Sequence, residues 1–364
     1  MAQIDRLLQL MAKADSSDLH LKVGYRPRYR VHGELEEMPN LEVMTREGLD
    51  KMIREILSEE QDRWFQEAGE LDFAYGDIKF GRYRCNYFRE HLGPAAVYRR
   101  IPVQVPTLKE LNLPAVLESF VHLRGGIVLV TGPTGSGKTS TLASLLDLVN
   151  TTYRKHVITL EDPIEYLQPS KKSVVHQRGL HYDILDFPSG LRAALREDPD
   201  ILMIGEMRDL ETIRLALTAA EVGCLVFATL HTNGAVQSID RIIDVFPGDE
   251  QAQIRAMLSQ SIQGVVSQVL LKHLGTGGRI PATEIMFGSP AVSNLIRENK
   301  IQDIVSVMQA GKQQGMHTMD DSLVQLVTKK IVDPEEAFSY AENKGWFEQF
   351  VDVPLKAKDV PTRF

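Results

Sequence analysis

The feature that most limits what this chain can fold into is an apolar run that leads directly into a glycine-rich loop and then a helical pattern. The loop reads Gly-Pro-Thr-Gly-Ser-Gly-Lys-Thr at 132–139, and the helix after it has apolar residues at 142, 145, 146 and 149. Glycines let successive backbone amides face one anion, and the N-terminal end of a helix adds a positive dipole. A strand, this loop and a helix in succession are typical of nucleoside triphosphate sites. We therefore predict that the chain binds a nucleoside triphosphate.

The loop assigns a set of residues to the nucleotide. These are Gly132, Pro133, Thr134, Gly135, Ser136, Gly137, Lys138, Thr139 and Ser140. In such loops the lysine reaches the outer phosphates and the hydroxyl of the following threonine is a ligand of Mg²⁺. The predicted cofactors are therefore ATP or ADP with Mg²⁺, and Thr139 is the predicted metal ligand.

Composition restricts the remaining possibilities. The 364 residues are 43% apolar and 25% charged, which is ordinary for a globular protein of about two domains. Apolar runs are far shorter than the roughly 20 residues of a membrane helix, and the N-terminus lacks the continuous apolar stretch of a secretory signal. A formal charge of −8 argues against a dedicated nucleic-acid binder. We expect a cytoplasmic protein without membrane insertion and without a nucleic-acid partner.

The two cysteines, Cys85 and Cys224, are far apart and lack C-x-x-C spacing. Neither a zinc site nor a disulfide framework is therefore predicted.

Hydrophobic patterning divides the chain into four parts. Residues 1–100 alternate short strands with helical stretches and predict a small α+β domain. A proline-rich linker is expected at 101–115. Apolar strands alternate with helices over 116–289, which predicts an α/β core with a parallel-dominated sheet. Residues 290–364 are expected to form C-terminal helices and a loosely held tail.

Three further strands of this core end in polar residues, at Glu161 and Asp162, at Glu206, and at His231. In open parallel sheets, ligands bind beside the carboxyl ends of the strands. Glu206 is the predicted catalytic carboxylate that positions or deprotonates the attacking water, although it also fits a carboxylate at a helix start.

Of the other strand-end residues, Asp162 and His231 each leave two interpretations open. Gly205 stands where ATPases usually have a metal-binding aspartate, so Mg²⁺ relies on Thr139, the phosphates and waters, one of which Glu161 is suited to hold. Asp162 precedes a proline and also fits a turn cap. His231 is suited to sense the γ-phosphate, or is a satisfied polar residue at a strand end.

The N-terminal domain is rich in arginine, and alternation along 82–84 places Arg82 and Arg84 on one strand face. A solvated strand face is the default interpretation. A ring-shaped ATPase, however, needs a positive charge from a neighbouring subunit at the transition state, and these strands are candidates to supply it.

Four motifs occur in order along the chain. They are G-P-T-G-S-G-K-T at 132–139, I-T-L-E-D-P-I-E-Y at 158–166, A-L-R-E-D-P-D-I-L-M-I-G-E-M-R-D-L-E-T-I at 194–213 and A-T-L-H-T-N-G-A-V-Q-S-I-D-R-I-I-D-V-F-P at 228–247. With them the chain resembles the secretion-superfamily ATPases over nearly its whole length, and within them the PilT-type subfamily of type IV pilus retraction motors.

The resemblance implies a PAS-like N-terminal domain, a RecA-like P-loop ATPase core and a homohexameric ring. It places the ring in the cytoplasm, peripheral at the inner membrane through a pilus platform protein, with a paralogous retraction ATPase as a further partner. By the same resemblance, Glu161 and Asp162 match the aspartate box, Glu206 the catalytic glutamate and His231 the histidine box. Arg84 and Arg99 match two arginines that reach a neighbour's nucleotide.

One departure from the subfamily lies at 291–298, which reads A-V-S-N-L-I-R-E where such ATPases typically read A-I-R-N-L-I-R-E. Ser293 thus replaces an arginine in a segment associated with retraction, so an accessory motor is an alternative. Two others remain: an assembly or type II secretion ATPase, disfavoured by the two isolated cysteines, and a nucleotide-gated scaffold, disfavoured by Glu206.

Overall fold

The computed structural model describes residues 2–14, 16–31, 34–77, 81–101, 103–348 and 350. The chain forms two compact units, of which the first contains Met1–Val105 and Asp162–Leu167, and the second Pro106–Glu161 and Gln168–Phe364. Six residues that follow a strand of the second unit thus belong to the first. The tail expected at 353–364 and Pro102 of the expected linker lie outside the described residues.

The described part of the first unit is a six-stranded sheet with three helices on one face. The helices are α1 (Gln3–Lys13), α2 (Arg46–Arg54) and α3 (Glu59–Ala68), and the strands are β1 (Asp18–Lys22), β2 (Arg28–Val31), β3 (Glu34–Glu37), β4 (Glu70–Asp77), β5 (Gly81–Glu90) and β6 (Gly93–Ile101). The strand order is β3-β2-β1-β6-β5-β4, and neighbouring strands are antiparallel.

Alternation explains why one face of this sheet is buried and the other carries charge. Tyr83, Cys85 and Tyr87 of β5 face the helices and are fully buried, and the hydroxyls of Tyr87 and Tyr98 are 2.6 Å apart. The residues between them on β5 project to the opposite face. Arg82 and Arg84 therefore share that face, as the sequence predicted.

The second unit is built on a seven-stranded sheet of order β13-β12-β7-β11-β10-β8-β9. Its strands are β7 (Gly126–Thr131), β8 (His156–Glu161), β9 (Val174–Gly179), β10 (Ile201–Ile204), β11 (Leu225–Leu230), β12 (Ile262–Lys272) and β13 (Arg279–Phe287). All neighbouring pairs are parallel except β12 and β13, which form an antiparallel hairpin. The central strands are buried throughout, because helices cover both faces.

Helices flank this sheet and continue after it. They are α4 (Lys138–Thr152), α5 (Phe187–Ala194), α6 (Leu210–Glu221), α7 (Ala235–Asp244), α8 (Gln251–Ser261), α9 (Pro290–Arg297), α10 (Ile304–Ala310), α11 (Met319–Thr328) and α12 (Pro334–Tyr340). The predicted fold class, an α/β core with a parallel-dominated sheet after an α+β domain and before C-terminal helices, is confirmed. In the part of the chain that is described, no helix is long and apolar enough to cross a membrane.

Candidate nucleotide site

The sheet order brings four chain segments together at one edge of the second unit. Strand β7 lies beside β11, β11 beside β10, and β10 beside β8, all parallel. The carboxyl ends of these strands therefore lie side by side at the same edge of the sheet. Along that edge lie, in order, the glycine-rich loop after β7, His231 after β11, Glu206 after β10 and Glu161, the last residue of β8. This edge is where open parallel sheets bind ligands.

The glycine-rich loop connects β7 to α4, and three of its glycines have positive φ angles, at 139° for Gly132, 79° for Gly135 and 89° for Gly137. Lys138 is the first residue of α4, and its Nζ donates hydrogen bonds to the carbonyl oxygens of Gly132 at 2.8 Å and Pro133 at 3.0 Å. Burial lowers the pKa of Lys138, and the negative charge of Glu206 opposes that effect. The lysine is thus held at the loop, and its charge interacts with that of Glu206.

Glu206 follows β10 and is held at both carboxylate oxygens. Its Oε1 lies 3.2 Å from Nε2 of His231, and its Oε2 accepts a hydrogen bond from Arg208 at 2.7 Å. Burial by itself would raise the pKa of Glu206, but the hydrogen bond and charge of Arg208, together with His231, outweigh it, and the pKa is lowered. Glu206 is therefore an ionised carboxylate of fixed orientation at neutral pH.

Glu161 is the last residue of β8 and is buried, with 5% of its surface exposed. Its Oε1 accepts two hydrogen bonds, from the hydroxyl of Thr159 at 2.7 Å and from Nε2 of Gln177 at 2.9 Å. Neutral donors therefore fix this carboxylate. Asp162, the next residue, is exposed and begins the segment that belongs to the first unit.

The protein oxygens at this edge fit Mg²⁺ as a metal that the nucleotide carries. Thr139, Glu161 and Glu206 supply oxygen donors, which Mg²⁺ prefers. Over the described ranges, no three or more histidines, cysteines or carboxylates cluster as metal ligands. Such a site suits an ion held mainly by phosphates and waters, which is how Mg²⁺ usually binds beside nucleotides.

The two candidate arginines lie in the first unit, opposite each other on two neighbouring strands. Arg84 of β5 and Arg99 of β6 are direct antiparallel partners. Arg84 forms hydrogen bonds to Asp72, the shortest at 2.7 Å, and lies 3.4 Å from Glu165, while Nε of Arg99 donates to Asp18 at 2.8 Å. The hydrogen bond to Asp72 raises the pKa of Arg84. Carboxylates thus offset the repulsion expected between opposed like charges.

Sequence reasoning missed two residues of the nucleotide site. Arg208 had a local signal, since it lies two positions after Glu206. Gln268 had none, because it lies in the mostly apolar strand β12 outside the four motifs, and only the sheet order brings it to the glycine-rich loop.

Comparison with known proteins decides the family. The family model described as type II/IV secretion system protein matches residues 2–339, which is most of the chain. The chain belongs to this family. The membership predicted from the four ordered motifs is therefore confirmed.

Individual relatives place this family member on its pilus-retraction branch. It is 48% identical over 92% of its length to the type IV pilus retraction ATPase PilT of Pseudomonas aeruginosa, of which 96% is covered. It is also 48% identical over 87% of its length to a twitching motility protein of Neisseria gonorrhoeae, of which 84% is covered. The resemblance to PilT predicted from sequence is confirmed.

A solved structure agrees with these relatives. The crystal structure of the pilus retraction motor PilT with bound ADP matches with a TM-score of 0.89 and 40% identity, and the match covers 96% of this chain and 100% of that chain. Because the match covers 96% of this chain, it includes residues of both units and the glycine-rich loop. The prediction of a secretion-family ATPase fold is therefore confirmed over the whole length compared.

Proposed function

We propose that this protein is a homohexameric ATPase motor whose hydrolysis of ATP drives the retraction of type IV pili. The observation that carries the proposal is the arrangement of Lys138 and Glu206 at the same edge of the sheet, in a fold shared with an ADP-bound retraction motor. A protein that only bound nucleotide would not need an ionised carboxylate fixed beside the phosphate-binding lysine.

The proposal assigns a role at the nucleotide to each group of residues at this edge of the sheet. Residues 132–140 surround the phosphates, to which all of them except Pro133 offer backbone N–H groups. Lys138 exchanges its two carbonyl partners for phosphate oxygens, which carry full charge. Mg²⁺, when bound with ATP, neutralises charge on the phosphates, and Thr139 and Glu161 are the residues to hold it and its waters. Buried Glu161 is already oriented for this by Thr159 and Gln177.

Glu206 orients the attacking water in this proposal. Because its pKa is lowered, the carboxylate acts first as an ionised hydrogen-bond acceptor that fixes the water, more than as a strong base. His231, 3.2 Å from Glu206, then links the γ-phosphate to this carboxylate: a hydrogen bond to phosphate competes with the one to Glu206. Loss of the γ-phosphate on hydrolysis therefore changes the partner of His231.

Arg84 and Arg99 serve as the charges that a subunit presents to its neighbour's nucleotide. Arg99 is well placed for this, since 70% of its side chain is exposed. Its partner Asp18 is buried but also accepts a hydrogen bond from the hydroxyl of Ser17 at 2.7 Å and lies 3.9 Å from Arg30, so this carboxylate keeps partners when Arg99 turns to a phosphate. Arg84 is more firmly held, by Asp72 and Glu165.

Motion of the first unit is the proposed source of mechanical work. The unit is joined to the second through the linker proposed at 101–115, and again through Asp162–Leu167, which follows Glu161 directly in the chain. Arg82 fixes that segment within the first unit by donating to the carbonyl oxygens of Ile164 at 2.7 Å and Glu165 at 3.1 Å. Displacement of the first unit is thereby transmitted to the chain at Glu161.

The proposed location is the cytoplasmic face of the inner membrane. The ring acts there on a pilus platform protein and works with a paralogous retraction ATPase. Ser293 of α9, which replaces the arginine typical of retraction motors, favours an accessory motor as the second candidate function.

The first test measures ATP hydrolysis by the purified protein while its mass is followed in solution, with Lys138→Ala and Glu206→Gln as comparison variants. A hexamer with Mg²⁺-dependent turnover that both variants lose supports the motor. A hexamer that binds ATP without turnover contradicts it and favours a scaffold. Pilus retraction in cells that carry only this ATPase then separates a main motor from an accessory one.

A further inference from the structure

Gln268 lies in the middle of β12, 127 positions after Thr141 in the chain, yet its side chain is bonded to the glycine-rich loop and its helix. Its amide is buried, with 1% of the residue exposed. Oε1 accepts a hydrogen bond from the hydroxyl of Thr141 at 2.9 Å, and Nε2 donates one to the carbonyl oxygen of Ser136 at 2.6 Å. One side chain therefore connects β12 to both the loop and the first turn of α4.

The chemistry of the partners fixes which end of the amide faces which group. A backbone carbonyl only accepts, so the NH₂ group must face Ser136. The hydroxyl of Thr141 donates or accepts and adapts to the oxygen end. A flipped amide would set two acceptors against each other at Ser136, so one orientation of Gln268 is selected.

The backbone of the loop also rests against Gln268. A Cβ atom at Gly132 would lie 2.2 Å from the carbonyl oxygen of Gln268, and a Cβ atom at Gly137 would lie 3.1 Å from its Nε2. Two glycines of the loop are thus in close contact with this one residue. Because these contacts are already close, the loop cannot move nearer to β12.

Holding the carbonyl of Ser136 has a consequence for the next amide. In a trans peptide the C=O and the following N–H are coplanar and point in opposite directions. When Nε2 of Gln268 holds the oxygen of Ser136, the N–H of Gly137 is therefore directed away from β12. Amides of such loops are the groups that bind phosphate oxygens.

We infer that Gln268 is a positioning residue for phosphate binding, which fixes the peptide between Ser136 and Gly137 so that the loop presents its amides to the nucleotide phosphates. This inference rests on the proposed hydrolysis of ATP at the same loop. It goes beyond that proposal because Gln268 lies outside every motif by which the site was found. Its role is preorganisation of the loop, since it acts through groups that bind the phosphates.

Three variants test the role. Gln268→Met keeps a long unbranched side chain of similar volume and removes both hydrogen bonds. Thr141→Val removes only one of them and leaves the bond to Ser136. Ser267→Ala is the matched control, because Ser267 is the adjacent buried polar residue of β12 and its hydroxyl has no hydrogen-bond partner among the described residues.

The measurements are the Kd of a fluorescent ADP analogue, the KM and kcat for ATP, the thermal midpoint, and hydrogen exchange of the amides at 134–139. We expect Gln268→Met to weaken ADP binding and raise KM by about tenfold, as the loss of one to two good hydrogen bonds implies. The loop amides exchange faster, while kcat at saturating ATP changes less than KM. Thr141→Val gives a smaller effect, and Ser267→Ala leaves Kd and KM unchanged.

The inference is wrong if Gln268→Met matches Ser267→Ala in Kd, KM and loop exchange. It is also wrong if the variant lowers the thermal midpoint and kcat at an unchanged KM, since that pattern describes partial unfolding of the protein. If the wild-type protein binds the ADP analogue but hydrolyses no ATP, the proposed function fails, and the Kd and exchange comparison still decides the role of Gln268.

Discussion

Nε2 of His231 and Oε1 of Glu206 lie 3.2 Å apart, at the ends of the neighbouring strands β11 and β10. The other oxygen of Glu206 is bonded to Arg208. A carboxylate held at both oxygens cannot rotate freely, so the direction from which it accepts a third hydrogen bond is restricted. This geometry favours a residue that aligns a water molecule.

The substitution Glu206→Gln keeps the size of the side chain and removes its charge. We expect turnover of ATP to fall by roughly 10²- to 10⁴-fold, because an oriented base contributes about that much. Binding of ADP stays within a few-fold of wild type, since Lys138 and the loop are untouched. Single-turnover hydrolysis and ADP titration measure the two quantities; hydrolysis that survives the substitution would remove Glu206 from the catalytic step.

The substitution Arg208→Ala shifts the pH dependence of turnover. Burial acts to raise the pKa of Glu206, and Arg208 is the main group that lowers it. Without Arg208 the pKa rises, so the acidic limb of the kcat profile moves to higher pH. Profiles between pH 4.5 and 8 are compared with those of Arg192→Ala, an exposed arginine paired with Glu211. An acidic limb that stays at its wild-type position argues against Glu206 as the titrating group.

The substitution Glu161→Gln tests whether Glu161 contributes to the binding of Mg²⁺. The amide keeps an oxygen but loses the charge that attracts a hydrated Mg²⁺. We expect the Mg²⁺ concentration that gives half-maximal turnover to rise by about tenfold, a change equivalent to about 1.4 kcal/mol. Excess Mg²⁺ restores most of the rate. Titration of Mg²⁺ at saturating ATP measures this, and an unchanged midpoint would show that Glu161 does not act through the metal.

The substitution Arg84→Ala tests whether Arg84 supplies a positive charge to the nucleotide of a neighbouring subunit. An arginine at the transition state of phosphoryl transfer contributes about 10³- to 10⁵-fold. We expect a loss of turnover at the lower end of that range, with the mass of the ring and the binding of ADP preserved. Arg89→Ala is the matched control, because Arg89 is on the same strand but lies over the ring of Phe65. Equal turnover in the two variants would assign Arg84 to the ion pair with Asp72 alone.

The substitution Glu284→Gln tests a buried carboxylate of β13 that accepts hydrogen bonds from the backbone N–H groups of Ala235 at 2.7 Å and Met319 at 3.2 Å. These residues begin α7 and α11, so Glu284 anchors the helix that follows His231. The amide group satisfies one of these donors and not the other. We expect a loss of about 1–3 kcal/mol in the free energy of unfolding of the second unit at neutral pH.

The same residue also gives the protein a pH dependence. Burial raises the pKa of Glu284 above its usual value of 4.5, although the two backbone hydrogen bonds act to lower it. The folded state therefore binds the proton more tightly than the unfolded state, and stability falls as pH rises from about 4.5 through the raised pKa. In Glu284→Gln, the free energy of unfolding no longer has this part of its dependence on pH. Urea unfolding at several pH values measures it, and an unaltered slope would contradict the assignment.

The glycine-rich loop and the strand ends were predictable because their signals are local. Strand β7, the glycines at 132, 135 and 137, and the apolar face of α4 follow one another within 25 residues, and each fits the backbone geometry it adopts. The general rule for parallel sheets then placed Glu161, Glu206 and His231 at one edge. Their order at that edge, and the bond between Glu206 and His231, needed the strand order.

The sequence by itself determined the fold class, the phosphate-binding loop and the family, since these depend on residues that are neighbours in the chain. Only the tertiary structure decided the position of Gln268 beside Ser136, from which it is separated by 132 positions, and of Arg84 beside Glu165, separated by 81. The physical reason is that contacts between distant segments follow from which strands pair and which segments each unit includes. A polar residue in a mostly apolar strand carries no sequence signal for the partner that this pairing gives it.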